Sequence, residues 1–217
     1  MDCLAKNDQA CTIQRQPITK MDGLNRNNEA RTQSETGIES SRNAGGTYMR
    51  LFIAIVLSDD MKKSVIGTMH ELKKAGVRGS YVPAQNLHVT LALLGETKDA
   101  AAVKAAMQTV ASKPFRMAFA EMGVFDNLLW VGIKGNQGLN KLAKYVTTAL
   151  DAAQIPYDRK KFVPHITIIR NMGGPWKKVS PPKGDMTVKK VSLMKSEQKD
   201  GKRVYTEIFS IDLGGKG

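Results

Sequence analysis

The sequence predicts an α+β fold of two similar β/α halves, each supplying one strand of a repeated pattern to a shared central cleft. Three observations carry this. His88-Val89-Thr90-Leu91 and His165-Ile166-Thr167-Ile168 both read His, apolar, Thr, apolar, and they use two of the three histidines in 217 residues. Each copy lies in a run with strand character. Each also follows a helix and a short connection. Residues i and i+2 of a strand share a face, so each copy sets an imidazole beside a hydroxyl.

The elements read in order as follows. Residues 1–48 are polar, without helix or strand period, and are expected to form a disordered N-terminal extension. Met49 begins a buried strand through Leu57, and 49–217 is the expected functional domain. Gly45-Gly46 can be encoded as a bacterial ribosome-binding sequence, with the codons of Thr47-Tyr48 as its spacing. Met49 is therefore an expected translation start, the other reading being a genuine extension. Ser58-Asp59-Asp60 caps a helix to about Ala75 with Met61, Val65, Met69 and Leu72 as its apolar stripe. A strand near Tyr81-Val82 leads to the first motif strand, Leu87 to Leu94, which Gly95 closes. Lys98 to Ser112 forms a second helix. Phe115 to Val124 and Leu128 to Ile133 form a hairpin around Asp126-Asn127. Gln137 to Ala153 is the longest helix. The second motif strand runs from Phe162 to Ile169. Two last strands, Thr187 to Ser196 and Arg203 to Leu213, turn at Lys199-Asp200-Gly201.

The chain is 41% hydrophobic and 24% charged, as one globular domain or two small lobes require. No apolar run is long enough to span a membrane. The first 30 residues have no apolar core of a secretory signal, so a cytoplasmic protein is expected. Cys3 and Cys11 are the only cysteines, which leaves the rest without a disulfide framework or thiolate metal site. Net charge is +13, all of it from residues 49–217, where 27 basic residues face 14 acidic ones. A basic body favours polyanions through phosphate contacts and counterion release.

Two facing imidazoles suit acid–base chemistry. An unperturbed histidine titrates near pH 6.5, so one ring can accept a proton while another donates one. The two threonines can donate to the oxygens of a bound anion. A tetrahedral phosphate fits between them, and a cationic cleft stabilises the charge of its transition state. A metal site is disfavoured, because neither motif carries a carboxylate or thiolate at ligand spacing. His70, beside the stripe of the first helix, reads as surface structure. Tyr81 and Trp176 read equally as base-stacking or packing residues. The Lys177-Lys178 and Lys189-Lys190 pairs read equally as phosphate contacts or solvated surface.

On these motifs the chain resembles the 2H phosphoesterases, and among them the bacterial and archaeal RNA 2′,3′-cyclic phosphodiesterases, also called 2′–5′ RNA ligase-like proteins. The resemblance spans Met49 to about Leu213. It includes the opening Met-Arg-Leu-Phe-Ile-Ala-Ile strand, His88-Val89-Thr90-Leu91 with Leu94-Gly95-Glu96, and Pro164-His165-Ile166-Thr167-Ile168 with Arg170. It implies a bilobal 2H phosphoesterase-like fold with no metal or other cofactor. It implies His88 as proton donor, His165 as proton acceptor, and Thr90 and Thr167 on the phosphate. It gives Arg170 an anion-binding role, whereas strand parity turns Arg170 away from His165 unless the strand bulges. The family often has a basic residue and then Phe where this chain has Ala92-Leu93. Simple alternation puts Ala92 on the His88 face and Leu93 on the core face. The implied reaction is hydrolysis of an RNA terminal 2′,3′-cyclic phosphate to a 2′-phosphomonoester, by a monomer whose partner is that RNA end. The alternatives are a phosphodiesterase for 2′–5′ oligonucleotides or small cyclic nucleotides, a weak 2′–5′ RNA ligase, and an RNA-binding module with vestigial activity.

Overall fold

The structure, a computed structural model, describes residues 48–214. The expectations for residues 1–47 lie outside the described residues. Among the described residues nine strands form two antiparallel sheets. The first has the order β3-β1-β8-β9, from His88–Thr97, Met49–Val56, Lys190–Lys199 and Lys202–Asp212. The second has the order β2-β6-β5-β4-β7, from Arg78–Tyr81, His165–Gly173, Leu128–Ile133, Phe115–Phe125 and Asp185–Val188. Three helices, α1 (Asp59–Lys74), α2 (Ala100–Gln108) and α3 (Gln137–Ala152), complete the α+β architecture. Among the described residues no helix is long and apolar enough to cross a membrane.

The helices form where their caps and stripes direct them. Ser58, Asp99 and Asn136 each accept a hydrogen bond from the backbone N–H three residues on, which satisfies one free donor of the first turn. Met61, Val65, Met69 and Leu72 of α1 are buried, as are Leu139, Leu142, Ala143, Val146 and Leu150 of α3. These stripes join the inner faces of both sheets in one continuous core with Ile53, Ile55, Val89, Val131, Ile166 and Leu193. Each fully buried Leu or Ile contributes about 2 kcal/mol of transfer free energy. A smaller apolar cluster of Phe52, Ala54 and Met194, with Val56 and Tyr205 against it, lies on the opposite face of the first sheet.

Several boundaries differ from the expected ones. α2 stops at Gln108 because the chain tightens there: the backbone N–H groups of Thr109 and Val110 donate to Ala106 and Met107. Pro114 also disfavours helical backbone at Lys113. β6 begins at His165, since Pro164 has no N–H to give a ladder. Gly95 does not close β3. It takes φ +70° inside the strand, pairs with Leu51, and the strand continues to Thr97. The expected strand from Thr187 to Ser196 is two strands. β7 pairs with β4 in the second sheet, and the chain crosses at Lys189 into β8 of the first. The two lobes are thus not the two halves of the sequence. β2 leaves the first half to pair with β6, and β8 returns to pair with β1, with β9 beyond it at the edge.

Candidate active site

β3 edges the first sheet and lies against β6 of the second, so the two motif strands meet between the lobes. His88 opens β3 after a 3-10 turn, Ala84–Asn86, and its Nδ1 lies 2.6 Å from the Asn86 carbonyl oxygen. His165 opens β6 after Pro164, with Nδ1 2.7 Å from the Val163 carbonyl. A carbonyl only accepts, so each Nδ1 carries the proton and each Nε2 is left for chemistry. In both copies the carbonyl belongs to the residue two before the histidine. His88 Nε2 lies 3.1 Å from Thr90 Oγ1, as the i, i+2 spacing requires.

Both motif strands bulge just beyond the threonine. On β3, Thr90 pairs with Ala54 and Ala92 with Ile53, which leaves Leu91 as an extra residue. On β6, Thr167 pairs with Trp130 and Ile169 with Leu129, which leaves Ile168 extra. Leu91-Ala92 and Ile168-Ile169 are consequently consecutive buried pairs, and the phase of each strand flips. The flip corrects the assignment made from simple alternation. Ala92 is 4% exposed in the core, and Leu93 is 49% exposed and lines the cleft. The same flip brings Arg170 onto the face of His165 and Thr167. Five residues after its histidine, one strand therefore presents an apolar side chain and the other a guanidinium.

His88, Thr90, His165, Thr167 and Arg170 line one cleft of about 530 Å³. Sequence reasoning did not find Arg50, Arg203, Phe52 or Tyr205, which line it too. Three guanidiniums and no carboxylate face this space, a lining matched to a polyanion. Phe52 and Tyr205 bear on His88 with ring centroids 4.8 and 5.3 Å away. That burial lowers the His88 pKa to about 4, and the charges of Arg170 and His165 push the same way against the Asn86 carbonyl. His88 is therefore neutral in the free protein at pH 7, with its Nε2 lone pair open to the Thr90 hydroxyl. Trp130 and Phe125 flank His165, at 6.3 and 5.3 Å between ring centroids.

The remaining candidates lie elsewhere. His70 is exposed on α1. Tyr81 donates to the Val77 carbonyl at 2.9 Å under Lys73, and Trp176 packs against the core beside Lys177 and Lys178. Lys190 pairs with Glu207 at 3.0 Å. None of these lines the cleft.

The model of the 2′-5′ RNA ligase superfamily matches residues 62–200. The chain belongs to this family. Among curated relatives, the RNA 2′,3′-cyclic phosphodiesterase of Aquifex aeolicus is 30% identical over 190 residues, covering 77% of this chain and 98% of the relative. That of Archaeoglobus fulgidus is 33% identical over 130 residues, covering 56% and 72%. Among solved structures, E. coli LigT complexed with 3′-AMP superposes with a TM-score of 0.64 at 26% identity, covering 77% of this chain and 98% of that one. The expected 2H phosphoesterase-like, bilobal α+β fold is thus the fold of its relatives.

Proposed function

We propose that the protein hydrolyses the terminal 2′,3′-cyclic phosphate of RNA to a 2′-phosphomonoester by two-histidine acid–base catalysis without a metal. The observation that supports this best is the set of groups in one carboxylate-free cleft: two imidazoles, two threonine hydroxyls and three guanidiniums. The curated relatives named for this reaction supply the substrate class. In this reading Thr90, Thr167 and Arg170 donate to the non-bridging oxygens of the cyclic diester. Nε2 of His165 takes a proton from water as the water oxygen forms its bond to phosphorus. The bond from phosphorus to O3′ breaks, and His88 passes a proton from Nε2 to O3′. The Arg170 guanidinium stabilises the charge gathered on the oxygens in the transition state. One chain supplies every group, so a monomer suffices, and a chain beginning at Met49 carries the full activity of this cytoplasmic enzyme.

One observation favours a second reading with the histidine roles exchanged. A His88 held near pKa 4 is ready as a base, and as an acid it must gain its proton in the substrate complex. An aryl phosphodiester separates the two, because p-nitrophenolate leaves without a proton. The histidine whose replacement is better tolerated on that substrate than on RNA is the acid. The primary test incubates labelled RNA bearing a 2′,3′-cyclic phosphate with the protein in EDTA and compares the product with 2′- and 3′-phosphate standards. A phosphatase-sensitive 2′-phosphate is expected. Unchanged RNA, or a 3′-phosphate, refutes the proposal.

A further inference from the structure

The cleft does not end at the two histidines. Arg50, Ser196 and Arg203 line it and also line a second depression of about 320 Å³, so the two hollows form one groove. Strand pairing fixes its course across the first sheet. Arg50 on β1 stands opposite Ser196 on β8, Ser196 opposite Tyr205 on β9, and Arg203 opposite Gln198. Arg50 lies four residues along β1 from Ala54, the partner of Thr90. At strand rise that is roughly 13 Å, so its guanidinium serves a different part of a ligand than Thr90 does.

The chemistry of the far part is also specific. Among the described residues neither Arg50 nor Arg203 takes part in an ion pair, whereas Lys195 is neutralised by Glu197 at 2.9 Å. Glu96, the other acid of the depression, stands opposite Arg50 on β3 without closing on it. Arg203 leans only on the Ser196 hydroxyl, at 3.4 Å. Two exposed guanidiniums on rigid strands are suited to phosphodiester oxygens.

We infer that this groove holds the RNA strand on the 5′ side of the cyclic end, with Arg50 and Arg203 on upstream phosphates. The inference rests on the proposed cyclic phosphodiesterase reading and deepens it: the substrate is an oligonucleotide, and a mononucleotide fills only part of the site.

The test compares kcat/KM on a 2′,3′-cyclic mononucleotide and on a tetranucleotide ending in the same cyclic nucleotide, for wild type, Arg50→Ala, Arg203→Ala and the double variant. Wild type is expected to favour the tetranucleotide. Each arginine removed lowers the tetranucleotide-to-mononucleotide ratio about tenfold, the loss of one charge-assisted hydrogen bond. Arg203→Lys retains part of the preference as a point charge. Binding of a tetranucleotide with a free 3′-hydroxyl is measured across salt, and its log–log slope shrinks by about 0.7 per arginine removed. A wild type indifferent to length, or a ratio unchanged in the double variant, overturns the inference. If wild type opens no cyclic phosphate at all, the proposed function fails and the binding arm decides the groove. An unaltered affinity and salt slope in the double variant then overturns it, and a loss of both sustains it.

Discussion

The environment of His88 makes a prediction about stability as well as rate. Burial beside Phe52 and Tyr205 lowers its pKa to about 4, against 6.5 in an unfolded chain. The folded protein thus binds fewer protons than the unfolded chain between those values, and stability rises with pH across that window. The contribution is complete above pH 6.5 and is lost as pH falls toward 4. The whole span is worth about 3 kcal/mol at 1.36 kcal/mol per unit. Integrated from pH 7.5 to pH 5 it is about 2 kcal/mol. His88→Gln removes the titrating group, so wild type should lose about 2 kcal/mol more than the variant over that interval in urea unfolding. A proton NMR titration of the three histidines checks the cause directly. A His88 that titrates near 6.5 in the free protein, or equal acid losses in the two proteins, refutes the reasoning.

Other perturbations test separate parts of the site. Arg170→Ala should raise KM about tenfold or more in steady-state assays, as loss of one charge-assisted contact implies, and should raise the His88 pKa because a repelling cation is gone. Gly95→Ala should cost about 1–2 kcal/mol in thermal or urea unfolding from its φ of +70° alone, since no atom lies within 4 Å of the added Cβ. Leu142→Ala, in the packed face of α3, should cost about 2–5 kcal/mol by the same measurement. His70→Ala should leave turnover and stability close to wild type, because that ring is exposed on α1.

Most elements were legible because their burial follows a simple period. The stripe Met61, Val65, Met69, Leu72 is the buried face of α1, and the apolar run from Met49 is β1. The pairing of each histidine with its threonine follows from the same two-residue period. What the period could not supply is its own interruption. The bulges at Leu91 and Ile168 reverse the face of the residues that follow them, moving Ala92 into the core and Arg170 into the cleft, and on β3 a second bulge at Leu94 reverses it again. Their trace in the sequence is faint: two apolar residues in succession, Leu91-Ala92 and Ile168-Ile169, where alternation calls for one. The crossing at Lys189 was not legible, because the ten-residue β8 follows the four-residue β7 with a single residue between them and both have strand character. Arg50, Phe52, Arg203 and Tyr205 were invisible for a different reason. Arg50 and Phe52 reach the cleft because β1 pairs with β3, and Arg203 and Tyr205 because β9 joins β8 beside β1, pairings between distant segments that no local pattern encodes.

The central claim is that His88 and His165 act together as the acid and base of one phosphodiester opening. Single-turnover rates on an RNA oligomer with a 2′,3′-cyclic phosphate, measured in EDTA for wild type, His88→Ala, His165→Ala and the double variant, test it most directly. Each single variant should lose about 10²–10⁴-fold in rate with little change in RNA affinity. The double variant should lose far less than the product of the two, since the pair works as a unit. Near-normal turnover in either single variant, or a wild-type rate abolished by EDTA and restored by a divalent metal, would contradict the account.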